Sequence, residues 1–227
     1  MSTAIVAKQA GNSNIVFIEP NKIGATPFTT SAVIAEYAGV NPKSVDRLIR
    51  NHTDALECFG RVGFEIRTCP HKTGATNRKI YRLTEEQATL LITFLKNTEP
   101  VVRFKTELVR QFFLMRSELQ RREMYRVQLK PIRRELTDVI QEINRSKWDY
   151  KLYTDLAYKV VTGKNAAQLR KERNAGRKAA AIDYMASGEI EAVAKLESKI
   201  GVLLEMGMDY YQVKALLLNR QMLGKLA

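Results

Sequence analysis

Four side chains in one short stretch suit an anionic, hydrogen-bonding partner: Lys43, Ser44, Arg47 and Arg50. Positions 43, 47 and 50 are four and three residues apart, so a helix would carry them on one face, with Ser44 and Asp46 beside them. Arginine offers a planar fork to base edges and phosphates, and lysine a point charge. A second group, His71, Lys72, Arg78 and Lys79, flanks a loop further on. There it would hold a phosphate backbone or enter a minor groove.

Other chemistry finds little support. His52, Cys58, Cys69 and His71 lie within twenty positions. Their spacing, His-x5-Cys-x10-Cys-x-His, lacks the ligand pairs two to four apart that zinc sites use. A capping histidine, core cysteines and a loop histidine explain them, so no metal and no cofactor is expected. Val160-Val161-Thr162-Gly163-Lys164 ends like a phosphate loop but lacks the upstream glycine and strand. No nucleophile elbow or HExxH appears, and enzymatic activity is not expected.

The elements that must position the first group are a helix pair over residues 31–51. Ser31 is read as the N-cap of a short first helix that runs to about Tyr37. Ala35 is small where two helices cross, and Gly39 supplies the positive φ of the turn. Asn41 caps the second helix, with Pro42 at its first position. Ile34, Val40, Val45, Leu48 and Ile49 face the crossing. This is the pattern of a helix-turn-helix, although any tight helical hairpin can share it.

Residues 51–60 read as a connection or a helix end. Val62, Phe64 and Ile66 then alternate, which predicts a strand with those three on one face. A loop over residues 70–77 leads to a second alternating run, residues 78–83. Two strands around a basic loop make a hairpin, and a helix pair followed by a hairpin is a winged helix. A solvated hairpin with ordinary surface lysines is the alternative.

Thr84 and Gln87 form a capping box, with Leu90, Leu91, Phe94 and Leu95 striping the helix behind it. Pro100 starts another helix with Val101, Phe104, Leu108, Phe112, Met115 and Leu119 inward. Its other face carries Arg103, Lys105, Arg110, Arg116, Arg121 and Arg122.

These residues resemble the phage regulatory protein Rha family over about residues 27–120. The likeness rests on Thr29-Thr30-Ser31, Ala35-Glu36, Tyr81-x-Leu83-Thr84, Leu90-Leu91, Phe94, and Lys105 with Val109, Phe112 and Met115. It implies a phage- or prophage-encoded regulator with a winged-helix-like N-terminal module, in a group that includes antirepressors. Family members often carry histidine and asparagine where this chain has Pro42-Lys43-Ser44. A DNA target therefore does not transfer.

Further on, Pro131 is expected to interrupt the helix. Ile132, Leu136, Val139 and Ile143 follow at four, three and four residues, a seam for a homodimer or for the chain's own core. Residues 146–227 read as a helical domain. Trp148, Leu152, Leu156 and Val160 stripe its first helix, and Asn165 caps the next. Residues 179–186 form a third, and residues 189–204 a fourth with Val193, Leu196, Ile200 and Leu203 inward. Asp209 caps the last with Gln212, burying Val213, Leu216 and Leu217.

The 227 residues carry a net charge of +13, with a pI near 9.8. That excess favours nucleic acid as partner. Lys/Arg against Asp/Glu count nine to five over residues 29–83, one to three over 84–99, eleven to six over 100–145 and fourteen to nine over 146–227. No long apolar run predicts a membrane span. The opening residues lack signal-peptide form, and two cysteines give no disulfide framework, so the cytoplasm of a bacterial host is expected.

The expected architecture is thus mainly α with a small hairpin. Residues 1–28 are a leader with an edge strand at 15–18 and a mobile first dozen. Residues 29–99 form the winged helix-turn-helix, 100–145 long basic helices, and 146–227 a helical domain. The expected partner is double-stranded DNA; the alternative is an antirepressor that grips a repressor protein without DNA.

Overall fold

The computed structural model describes residues 14–19, 21–71, 74–143 and 147–223, except for the side chains of 69–71, 74–76, 147–148 and 219–223. The first dozen residues, Lys72, and the side chains of Cys69, His71 and Trp148 therefore lie outside the described residues. The chain is mainly helical with one three-stranded sheet. It divides into two compact units, residues 1–19 with 25–117, and residues 20–24 with 118–227.

In the first unit, β1 (Phe28–Thr30) leads into α1 (Ser31–Tyr37) and α2 (Pro42–Asn51). The cap of α1 is Thr30, one residue before the expected Ser31, and its hydroxyl accepts from Val33 N at 3.3 Å. Ser31 is fully buried instead, and its Oγ accepts from Tyr81 N at 3.1 Å. The short α3 (Thr53–Glu57) fills what read as a connection or a helix end. Then β2 (Gly63–His71) and β3 (Gly74–Thr84) form the hairpin, with the sheet order β1-β3-β2.

β1 is too short for period-two reading, yet it gives β3 a second neighbour through Phe28 opposite Thr84 and Thr30 opposite Arg82. The expected edge strand at 15–18 reduces to one bridge, Phe17 to Phe28. Gln111 Oε1 accepts from Ile15 N at 2.9 Å and holds that segment against the core.

The hairpin's apolar alternation does not bury. Phe64 is 48% and Ile66 64% exposed, and the strand begins at Gly63, beyond Val62. The core takes Leu83 and Ile80 from β3 instead. Ile80 and Leu83 lie on opposite faces of β3, so each face gives up a residue near the strand's end, while Phe64 and Ile66 further out on β2 stay exposed.

Thr84 and Gln87 close the capping box of α4 (Glu85–Thr93). Gln87 is almost fully buried, and its Nε2 also donates to Gly60 O at 2.6 Å, which fixes the turn into β2. Leu91 and Ile92 point inward while Phe94 stays at the surface, stacked on His52 at 3.9 Å.

The helix α5 (Glu99–Glu142) runs through Pro131 without a break. Interior proline removes one hydrogen bond, an acceptable loss where flanking turns are held by packing. Val101, Phe104, Leu108 and Phe112 enter the first core as expected.

In the second unit, α5 continues through Leu129, Leu136 and Ile140, all buried, with Ile132 and Val139 packed beside them. The seam at 132–143 therefore serves this unit's own core. The unit adds α6 (Lys147–Thr162), α7 (Ala166–Glu172), α8 (Ser187–Glu205) and α9 (Tyr210–Leu223). Residues 179–186 hold only a four-residue 3-10 turn, Ala181–Tyr184, rather than a helix. On α6 the inward stripe is Tyr153, Leu156 and Ala157, with Leu152 47% exposed. Asp209 and Gln212 cap α9 reciprocally at 2.9 Å, and Val213 and Leu217 are buried while Leu216 is 41% exposed.

Glu118 on α5 fastens the start of α8. It accepts from Ser187 N at 2.9 Å, Ser187 Oγ at 2.7 Å and Arg122 Nε at 2.9 Å. Burial works to raise its pKa, but the bonds from Ser187, Arg122 and Arg121 prevail and hold the carboxyl down at about 2. An acid whose folded pKa is depressed stabilises the fold above its unfolded value. That contribution fades as pH falls from the ordinary carboxylate range towards about 2. Urea titrations should show this contribution to stability lost across that window, reduced by solvent screening of the partly exposed carboxyl. Glu118→Gln should be less stable at neutral pH and should flatten the curve; an unchanged slope would contradict the assignment.

Candidate nucleic-acid interface

The turn between α1 and α2 sets the site. Gly39 has φ +64°. Val40 N returns to Ala35 O at 3.0 Å, which closes α1 tightly and aims α2 across it. Asn41 Oδ1 accepts from Lys43 N at 2.9 Å, with Pro42 beginning the helix. Val45 and Ile49 are buried on the inner face. Lys43, Ser44, Arg47 and Arg50 are exposed on the other. Ten residues make α2 about 15 Å long, compatible with a major groove about 12 Å wide.

Among the described residues, Lys43, Arg47 and Arg50 form no ion pair, whereas the basic face of α5 is largely matched. Arg103 meets Glu99, Arg110 meets Glu107, Arg116 meets Glu85, and Arg121 and Arg122 meet Glu118. Lys105 Nζ donates to Leu95 O at 3.1 Å and Asn97 Oδ1 at 2.8 Å. Lys43, Arg47 and Arg50 thus lie within eight residues of one short helix without an ion pair, whereas the arginines of α5 from Arg103 to Arg122 each meet an acid.

The hairpin residues divide. Arg78 faces α2 and donates from Nη2 to Asp46 Oδ2 at 3.1 Å. That pair neutralises the one carboxylate of α2 and ties β3 to the helix. Lys79 projects from the opposite face of the strand, its Nζ 4.4 Å from the Phe64 ring centroid, with Tyr81 edge-on to Phe64 at 6.4 Å. Arg82 is used internally, over the Phe28 ring at 3.7 Å and 3.8 Å from Glu19. The structure thus brings Lys43, Ser44, Arg47 and Arg50 together, sets Arg78 beside them through Asp46, and holds Lys79 apart. The His71 side chain and all of Lys72 lie outside the described residues. The Asp46–Arg78 tie spans 32 positions, and nothing local in the sequence announces it.

Residues 29–117 match the family model of the phage regulatory protein Rha. The matched segment starts within β1 and ends in α5 at the last residue of the first unit. It holds α2, the whole hairpin and the capping box, while the second unit lies outside it. No curated protein matches the chain. The Rha match supports a phage regulatory protein. Among the described residues, no helix is long and apolar enough to cross a membrane, and no group of three or more His, Cys, Asp or Glu side chains is placed to hold a metal ion.

Proposed function

We propose that this chain is a phage regulatory protein that binds double-stranded DNA and controls transcription, with α2 in the major groove and the β2–β3 hairpin as a wing along the backbone. One observation carries the reading: three cations and a serine share the outer face of α2 with no acid left to compete for them. Lys43 and Ser44 lie in its first turn, near backbone N–H groups that also attract phosphate. Arg47 and Arg50 lie further along, where bidentate contact with guanine is the commonest specific interaction. Lys79 would contact a phosphate away from this face, His71 and Lys72 would add phosphate contacts, and Arg78 would act by fixing the angle between hairpin and helix. A homodimer would pair two such helices on two half-sites. In this reading the protein acts by occupancy and performs no catalysis.

The decisive experiment is selection of bound fragments from a random duplex pool by the full-length protein. A recurrent motif should emerge, with affinity that falls steeply as salt rises because counterions are released. A pool without enrichment, together with salt-independent capture of a repressor protein, would favour the antirepressor reading. A protein partner does not require an arginine-lined helix face, which weighs against it.

A further inference from the structure

We infer that residues 164–178 of the second unit form a separate surface that grips the phosphate backbone of a nucleic-acid duplex without reading its bases. Charge placement is the first reason. Residues 146–227 hold fourteen Lys/Arg and nine Asp/Glu, a net +5. Residues 164–178 hold six and one, also a net +5, so the remainder balances at eight against eight. All of that net charge sits in one short segment.

The segment is fixed in place. Asn165 and Gln168 cap α7 reciprocally at 2.9 Å. At its end Asn174 takes a left-handed φ of 52°, and Ala175 N returns to Arg170 O at 2.8 Å. A following turn closes from Ala179 N to Gly176 O at 2.9 Å and carries Arg177 and Lys178. Arg173 points inward as an anchor, donating to Tyr184 O at 3.1 Å and to Glu189 at 2.9 Å.

The segment's single acid, Glu172, is matched by Lys164 at 2.7 Å. What remains is Arg170, half-buried, with Lys171, Arg177 and Lys178 exposed. None of the four has an ion-pair partner among the described residues. Four like charges on a pinned frame repel one another, and a polyanion relieves that cost.

The composition selects the partner. The segment has no aromatic side chain, so it offers no platform on which single-stranded bases stack. Its one large apolar residue, Leu169, is buried, so nothing enters a bilayer. Cations without stacking or insertion groups suit the regular phosphates of a duplex. This surface is distinct from α2 and does not depend on it.

The test uses the full-length protein, a short random-sequence duplex and a salt series. The variant Arg170→Gln/Lys171→Gln/Arg177→Gln/Lys178→Gln is compared with the parent, and again in an Arg47→Ala/Arg50→Ala background. The slope of log affinity against log salt should shrink by about 2–4 in both backgrounds, with roughly tenfold or greater loss at low salt. Circular dichroism and the unfolding midpoint should match the parent. Arg170→Lys/Arg177→Lys, which keeps the charge, should keep the slope. Unchanged slopes in both backgrounds would overturn the inference. So would a defect confined to single strands, or one seen with phosphatidylserine vesicles while duplex binding is intact.

Discussion

Replacing Arg47 and Arg50 together by alanine should weaken binding to the selected duplex by about 2–6 kcal/mol, at about 1–3 kcal/mol for each bidentate contact. Binding to a scrambled duplex should fall much less, since only two cations among many are removed. The discrimination ratio between the two duplexes is therefore the readout, measured by fluorescence anisotropy at fixed salt. Both side chains are exposed and form no ion pair among the described residues, so unfolding of the variant should stay near the parent. That separation matters, because a loss of affinity through unfolding would affect both duplexes. Equal losses on both would reduce Arg47 and Arg50 to phosphate contacts, and no loss on either would remove α2 from the interface.

The same helix shows why the sequence reveals this site so readily. Gly39, Asn41, Pro42, Val45 and Ile49 each obey a local rule: a positive φ, a cap, a proline at the first helical position, and inward residues four apart. Local rules are legible because their causes lie within a few residues. The capping boxes at Thr84 and Asp209 and the cap at Asn165 are legible for the same reason. What escaped is set at a distance. Alternation at Val62, Phe64 and Ile66 correctly announces a strand but cannot say which of its residues the helices cover: Phe64 and Ile66 stay exposed, while Ile80 and Leu83 of β3 are buried. Arg78 reads as a free phosphate ligand until Asp46, 32 residues away, proves to be beside it. Pro131 fails as a breaker because Leu129, Leu136 and Ile140 hold the helix on both sides of it. The residues after Asn165 read as a capped helix, and only the matching of Glu172 and the inward turn of Arg173 distinguish free cations from structural ones.

The second unit contains one more such long-range tie, and it should have the largest effect on stability. Glu197 on α8 is completely buried, and Arg133 on α5 meets it in a two-pronged contact, Nε to Oε2 at 2.9 Å and Nη2 to Oε1 at 3.0 Å. Arg133 Nη2 also donates to Tyr158 OH at 2.8 Å, which recruits α6. Burial pushes the Glu197 carboxyl above its ordinary range, against the pull of Arg133. Arg133→Met removes that pull and should cost about 3–5 kcal/mol at neutral pH, because a buried carboxylate is left unpaired. An acid whose folded pKa is raised stabilises the fold only below its unfolded value, and loses that contribution as pH rises. The defect of Arg133→Met should therefore be smallest near pH ~4 and grow towards neutrality. Arg133→Met/Glu197→Leu removes both charges and should recover most of the loss, since apolar packing often replaces a buried pair at little cost. Urea unfolding of the three proteins across that pH range distinguishes the outcomes. If the double variant is as unstable as Arg133→Met, and the defect is indifferent to pH, then lost packing of the arginine stem explains it, and the carboxylate has no part in holding α5, α6 and α8 together.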